Sequence, residues 1–522
     1  MASWLASAGV SSRFPAPRAT AAAARDLSID RRSLLGAAAG RLLAPLSSAA
    51  HAGDVASLVA KTVEEPAGPA FRSRPDLLPP AVEVTAGVTA SGYVFVTPIA
   101  TPTARGFSVA TQIDEGLGQP GSMILDPAGE LVWFAPTSGM TTNLQPQTYR
   151  GQPVLVYWEG KPGPGIGYGN GYVLDTSYKL VATVRAGNGL QADLHEFTIT
   201  AQDTALITAY TPRPADLSSV GGAQDGTVLD SVVQEVDIAS GKVLLEWSAL
   251  DHVPVDETNA GLTAPPFDYF HVNSVSPYND DELLVSSRNT WTLYRIDRSS
   301  GEILARINGK ASDYKLGPGA TFYWQHHTRQ RAAGQISVFD DGASPPEEPR
   351  SRGIVLLVDD VNMTVSLVRQ FTHPANLLAE FEGSMQPLTG GGAFVGWGDE
   401  PYFSEFAEDG SLRFDARLPM NGQSYRAFLS QWVGTPTAPP DLAVERDAFG
   451  GTVVYASWNG ATQVATWQVR SGSSPSQLSP VGTQPKAGFE TAITVRPSGQ
   501  LIAVAALDSH GKELGVSSTL RL

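Results

Sequence analysis

Along the middle of the chain, apolar and polar positions form a phrase that returns six times: an apolar run, a turn centred on aspartate, then a second apolar run. It reads MILDPAGELVWF around Asp126, YVLDTSYKLVATV around Asp175 and QEVDIASGKVLLEW around Asp237. It returns as YRIDRSSGEILARI around Asp297, LLVDDVNMTVSLV around Asp359 and SEFAEDGSLRFDA around Asp409. Apolar runs broken by Asp, Gly, Ser or Asn predict a two-stranded hairpin at each phrase. The aspartates are 49, 62, 60, 62 and 50 residues apart. At that period a β-propeller lays down one four-stranded blade per repeat. The expectation is an all-β chain with a six-bladed β-propeller over residues 83–433.

The texture changes at Gly434. GTPTAPPD, residues 434–441, reads as a Pro-rich linker, and residues 442–522 read as short strands. With Trp458 or Trp467 as its buried indole, this segment is expected to be a small β-sandwich of the immunoglobulin or fibronectin kind, acting as an accessory module. Residues 53–82 precede the first repeat as an N-terminal extension, and residues 1–52 read as a leader. Met1 to Arg25 holds Ala, Ser and Arg and no acidic residue; Arg31-Arg32 then precede an Ala/Leu run ending in Ala50-His51-Ala52. Paired arginines, a weakly apolar run and small residues at the end resemble a twin-arginine signal peptide, implying a secreted protein. The alternative is a transit peptide directing the chain to an organelle lumen. No apolar run approaches the ~20 residues of a spanning helix, so no stable membrane insertion is expected.

Composition narrows the partners. Among 522 residues, 42% are hydrophobic and 17% charged, with a net charge of −16, which argues against nucleic acid as a partner. An anionic substrate would need a local cationic pocket. The chain has no cysteine, which excludes disulfides, thiolate metal sites and cysteine nucleophiles.

The chain has only eight histidines, and three open the strands between neighbouring hairpins. These are His195 in LHEFTITAQDTALITAY, His271 in FHVNSVSPYNDDELLVSSRN and His326 in WQHHTRQRAAGQISVFDDG. In a propeller the inner strands line the central channel, so equivalent positions in successive blades converge there. Three imidazoles would suit zinc or copper. The neighbours read from sequence, however, are Asn273, Arg288 and Arg329, with Glu196 the only carboxylate. Guanidinium and amide donors beside histidine suit a sulfate or phosphate oxyanion better than a metal. No G-x-S-x-G or phosphate-cradling motif is present, so imidazole itself is the best candidate nucleophile. Alternation along a strand would send His326 and His327 to opposite faces. The aromatics Phe270, Tyr323 and Trp324 precede two of the histidines and are candidates to stack on a flat substrate.

These segments resemble the arylsulfotransferase (arylsulfate sulfotransferase-like) family of bacterial and fungal proteins. The resemblance rests on HEFTITAQDTALITAY, DYFHVNSV, LLVSSRNTWTLYRID with SGEI, and FYWQHHTR with ISVFDDG, and runs from about Pro80 to Pro419. It implies a six-bladed propeller transferring a sulfuryl group from a phenolic sulfate ester to a phenol, without a nucleotide sulfate donor, metal or other cofactor. By the same resemblance His326 would be the transiently sulfated nucleophile, a sulfohistidine. His271, Asn273 and Arg288 would hold the sulfuryl oxygens, and His195 would exchange a proton with the phenolic oxygen. The chain departs from the family at one position: His327 stands where the related sequences carry aspartate. Two other classes remain open from the residues alone, a non-catalytic binding platform and a metal-dependent propeller hydrolase or lactonase.

Overall fold

Each of the six aspartate phrases folds as a hairpin because the aspartate carboxylate closes its own turn. Asp126 Oδ1 accepts the N–H groups of Ala128 (2.8 Å) and Glu130 (3.0 Å), and Asp175 does the same for Ser177 and Lys179. At Asp297 the hydroxyls and N–H groups of Ser299 and Ser300 draw the carboxyl down to about 2.

The protein, here a computed structural model, is described over residues 68–89, 91–101, 112, 116–332, 334–447 and 451–522. The leader expected at residues 1–52 lies outside the described residues, as does the first half of the extension. The fold is all-β: the named elements are strands and four short 3-10 turns.

Between Glu83 and Ser430 the strands form six sheets, each with four antiparallel strands of which an Asp hairpin makes the last two; the short strand Lys315–Leu316 adds a parallel edge to one of them, beside Thr364–Phe371. The strands that begin the sheets are Met140–Tyr149, Phe197–Ile199, Val272–Pro277, His326–Ala332, Ser384–Pro387 and Gly422–Ser430. Each packs against the neighbouring sheets on either side, in a closed, propeller-like cycle. The cycle closes by pairing the two ends of the region: Tyr93–Ala100 is hydrogen-bonded to Gly422–Ser430, with Phe95 opposite Phe428. Glu83–Gly87 adds a fifth strand to the outer edge of the sheet begun by Ser384–Pro387, beside Leu412–Arg417.

The core is divided among the sheet-to-sheet interfaces. Phe95, Trp133, Leu144 and Leu155 fill one; Trp247, Phe267, Tyr269 and Phe270 belong to another; Phe339, Phe371, Trp397 and Phe406 fill a third. A sheet packed on both faces needs apolar residues on both, which is why Glu282–Ser287 is buried at every position after the first. The last strand of a sheet has one wet face and alternates, as Val243–Ser248 does.

Two further sheets follow. One joins Asp441–Arg446, Thr452–Ser457 and Glu490–Val495; the other is built on Thr466–Gly472 and Leu501–Leu507. Trp467, fully buried, centres their shared core. They dock on the sheet begun by Gly422–Ser430 and on the Asp175 hairpin of the sheet begun by Met140–Tyr149. The Asn459 amide exchanges two 2.9 Å bonds with the Phe134 backbone, and the hydroxyl of Tyr178, whose ring stacks on Trp133 at 4.8 Å, donates to Gly460 O.

Candidate active site

Every one of the six sheets sends a residue from the start of its first strand into one cavity of ≈ 370 Å³. They are Met140, His195, His271, His326, Glu382 and Tyr425. Apolar side chains such as Ile99, Ile166, Leu194 and Phe381 complete the wall, and Arg288 enters from the strand turn after Ser287. Gly165 at the rim, with a φ of +70° that suits glycine, lies in van der Waals reach of His271: a Cβ there would stand 3.8 Å from its Cε1.

Each histidine of the triad has its own carboxylate. His195 Nδ1 is 2.5 Å from Asp193 Oδ2, His271 Nδ1 is 2.5 Å from Asp268 Oδ2, and His326 Nδ1 is 3.0 Å from Asp341 Oδ2. A carboxylate on Nδ1 holds the proton there and leaves the Nε2 lone pair for chemistry. His326 Nε2 accepts a long hydrogen bond of 3.3 Å from the Glu382 N–H. The rings of His195 and His271 meet edge to face at 4.9 Å.

Burial, then the nearby Arg288 and the other two imidazoles, push His326 well below the usual histidine range, so the ring is neutral at pH 7. His195 is also lowered by burial, with Asp193 pulling the other way. Burial raises Asp341 well above the ordinary carboxylate range, opposed in part by Arg288. Arg288 is fixed by donation to Glu380 O (2.8 Å) and Asn289 Oδ1 (3.2 Å), and by stacking over Trp324 at 4.9 Å. Its buried Nε–H has no partner. A neutral imidazole with its lone pair available, beside an incompletely bonded guanidinium, is an arrangement that can bind and attack an oxyanion ester.

Four of the residues singled out from sequence therefore meet here: His195, His271, His326 and Arg288. The other four lie elsewhere. Phe270 is fully buried in a sheet-to-sheet core against Tyr294 and Trp247, because an apolar ring gains more there than at a wet rim. Trp324 lies under Arg288 and donates its N–H to Pro345 O; Tyr323 packs edge-on to Trp291. Asn273 points further along its strand and donates to Gln325 O at 2.6 Å.

Two expectations need correcting. The histidines do have carboxylate neighbours beyond Glu196, and Arg329 is not aimed at the cavity. Its guanidinium is bidentate to Glu196 at 3.0 and 2.8 Å, because a buried cation needs a counter-charge. His326 and His327 do separate. A bulge follows His326, and His327, with φ +46°, packs against Phe428 and Met385.

Asp193 and Asp268 had a local signal, two and three residues before their histidines. Asp341 had a weaker one, at the end of the strand paired with His326–Ala332. Glu382, Gln423 and Tyr425 carried none. Among the described residues no group of three or more His, Asp and Glu is placed to share a metal ion.

Residues 145–418, just over half of the chain, match a family model described as arylsulfotransferase (ASST). No curated protein matches the chain. The chain is similar in structure to a protein of unknown function from Bacteroides caccae, at 12% identity and TM-score 0.39, covering 65% of this chain and 98% of that one. It is similar to a Lactobacillus plantarum protein at 13% identity and TM-score 0.32, covering 78% and 99%. It is also similar to the β-propeller domain of Cps50 (Swd1) from Myceliophteria thermophila, at 12% identity and TM-score 0.30, covering 62% and 95%.

Proposed function

The chain belongs to the arylsulfotransferase family, and from that premise we propose that it moves a sulfuryl group from an aryl sulfate ester to a phenol through His326. The observation that carries this is the His326 imidazole: neutral, on the cavity wall, oriented by Asp341 through Nδ1, with Arg288 alongside.

In the first half-reaction His326 Nε2 forms a bond to sulfur while the bond from sulfur to the aryl oxygen breaks, releasing a phenolate. Charge on the sulfuryl oxygens is met by Arg288 Nε–H, by the Glu382 N–H turning from Nε2, and by the Nε2–H of His271 in its doubly protonated form, with Nδ1–H on Asp268. In the second half, an acceptor phenol gives its proton to neutral His195, and its oxygen takes the sulfuryl group from His326. Asp193 steadies the resulting imidazolium, which returns the proton to the next departing phenolate. Protons and sulfuryl groups balance over the cycle. Asn273 would act at one remove, by holding Gln325 beside His326.

The six sheets are read as the blades of a six-bladed propeller, residues 83–433, and the two C-terminal sheets as a β-sandwich, residues 442–522. Residues 1–52 are read as a twin-arginine-like export leader or, alternatively, an organelle-lumen targeting segment. N-terminal sequencing of the mature protein tests this, and a full-length N-terminus on the exported protein would contradict it.

The transferase test uses para-nitrophenyl sulfate with and without phenol. Nitrophenol release should depend on the acceptor, and wild type, but not His326→Ala, should gain the mass of one sulfuryl group. Acceptor-independent hydrolysis abolished by a chelator would overturn the reading.

A further inference from the structure

Besides Arg288 Nε, three cavity residues have buried polar atoms without partners: Glu382 Oε2, Gln423 Oε1 and the Tyr425 hydroxyl. Gln423 Nε2 donates to Glu382 Oε1 at 2.9 Å, so these two side chains form one unit. The Glu382 backbone N–H touches His326 Nε2, and the Tyr425 ring lies edge-on to His195 at 5.6 Å. The three side chains therefore flank the place where the aryl oxygen reacts. Folded proteins satisfy nearly all buried polar atoms, so three unmet ones in one cavity mark a surface that a ligand completes.

The chemistry of the three atoms selects that ligand. Gln423 Oε1 accepts only, and the Tyr425 hydroxyl both donates and accepts. Burial, then the neighbouring Asp399, hold the Glu382 carboxyl well above the usual range, and its Oε2 donates when protonated and accepts when ionised. Turning the Gln423 amide over exchanges an acceptor for a donor and leaves the same mixed requirement. An anionic substituent would meet acceptor oxygens with no cation on this wall, and an apolar one would leave every atom unmet. A hydroxyl donates and accepts from one atom.

We propose that the preferred acceptor is a phenol carrying a second hydroxyl, which Glu382, Gln423 and Tyr425 hold while the first hydroxyl faces His326. This rests on the transferase reading above and names its substrate class.

The test pairs para-nitrophenyl sulfate as donor with catechol, resorcinol and hydroquinone, each against its mono-methyl ether, which keeps the oxygen but loses the O–H. For at least one pair, wild-type kcat/KM should favour the free hydroxyl by about 100-fold or more. Gln423→Leu and, separately, Tyr425→Phe should cut that ratio to about tenfold or less. Tryptophan-fluorescence titrations with the same pairs read the affinity ratio without turnover. Equal preference within every pair in wild type overturns the inference, as does a ratio that neither variant moves. Selective binding of the dihydroxy compounds without nitrophenol release on any acceptor would sink the transferase reading and leave the assignment of this wall standing.

Discussion

Two successive layers of side chains occupy the middle of the ring, and they treat charge in different ways. The cavity layer holds His195, His271, His326 and Tyr425; one to three residues further along stand Glu196, Asn273, Arg329 and Arg426. In the second layer the charges are matched: Arg329 and Arg426 both reach Glu196, and Arg426 also donates to Asn143 Oδ1 (2.8 Å) and Asn273 O (2.9 Å). Burial works to raise Glu196, but the two guanidiniums and Thr198 outweigh it and keep the carboxylate ionised. In the cavity layer the imidazoles are paired on one nitrogen only, and Arg288 Nε, Glu382 Oε2 and Tyr425 OH are left over. Both layers are polar and largely buried. Asn273 Oδ1 and Arg426 Nε are unpartnered too, so what separates a plug from a site is whether the charged groups neutralise one another, not whether every polar atom is met.

This contrast can be broken in order of expected effect. His326→Ala should lower transfer by at least about four orders of magnitude while leaving the urea midpoint close to wild type. A stability loss matching the activity loss would make it a plug residue. Glu196→Ala leaves two buried guanidiniums without their carboxylate and should cost about 3–5 kcal/mol in chemical denaturation. An unchanged midpoint would mean the second layer seals nothing. Asp341→Asn keeps the shape but gives up the carboxyl and can turn an amide N–H2 toward His326 Nδ1, which moves the imidazole proton to Nε2, and kcat should fall about 100-fold.

The pH dependence sharpens the comparison further. Because His326 is lowered, its neutral, nucleophilic form persists below the 6.5 of a free histidine and is lost only as pH falls through the folded value. The nitrophenol burst should therefore stay flat from neutral pH down past 6.5, then decline. Arg288→Met removes a cation and should move that decline to higher pH; a wild-type burst already half lost at 6.5 would contradict the assignment. The smallest effect is expected at Phe270→Leu, which should cost about 1 kcal/mol of stability with KM unchanged.

Much of this molecule was legible as pattern. The Asp phrases located the outer hairpins because an aspartate that closes its own turn needs only its immediate neighbours. The three histidines were visible as a set because each opens a strand at the same point of its repeat. Phe270, Tyr323 and Trp324 misled because an aromatic next to a histidine in sequence turns away from it as readily as towards it. In FYWQHHTR both Trp324 and His327 have positive φ, so simple alternation does not describe the backbone there. Asp193 and Asp268 were readable in hindsight from spacing. Glu382, Gln423 and Tyr425 were not, since a lone acid, amide or phenol in a strand has no local mark of exposure to a cavity.

Period and turn chemistry are properties of short stretches, so hairpins, repeat number and the alignment of the histidines follow from the chain read in one dimension. Partnership is different. His326 takes its carboxylate from fifteen residues away and its backbone contact from fifty-six, while Arg426 reaches Glu196 across 230. Whether a buried polar atom is satisfied depends on groups that only ring closure brings within 3 Å. That closure decided that Arg329 seals the middle, that Arg288 keeps a free donor, and that a wall absent from any motif faces the substrate.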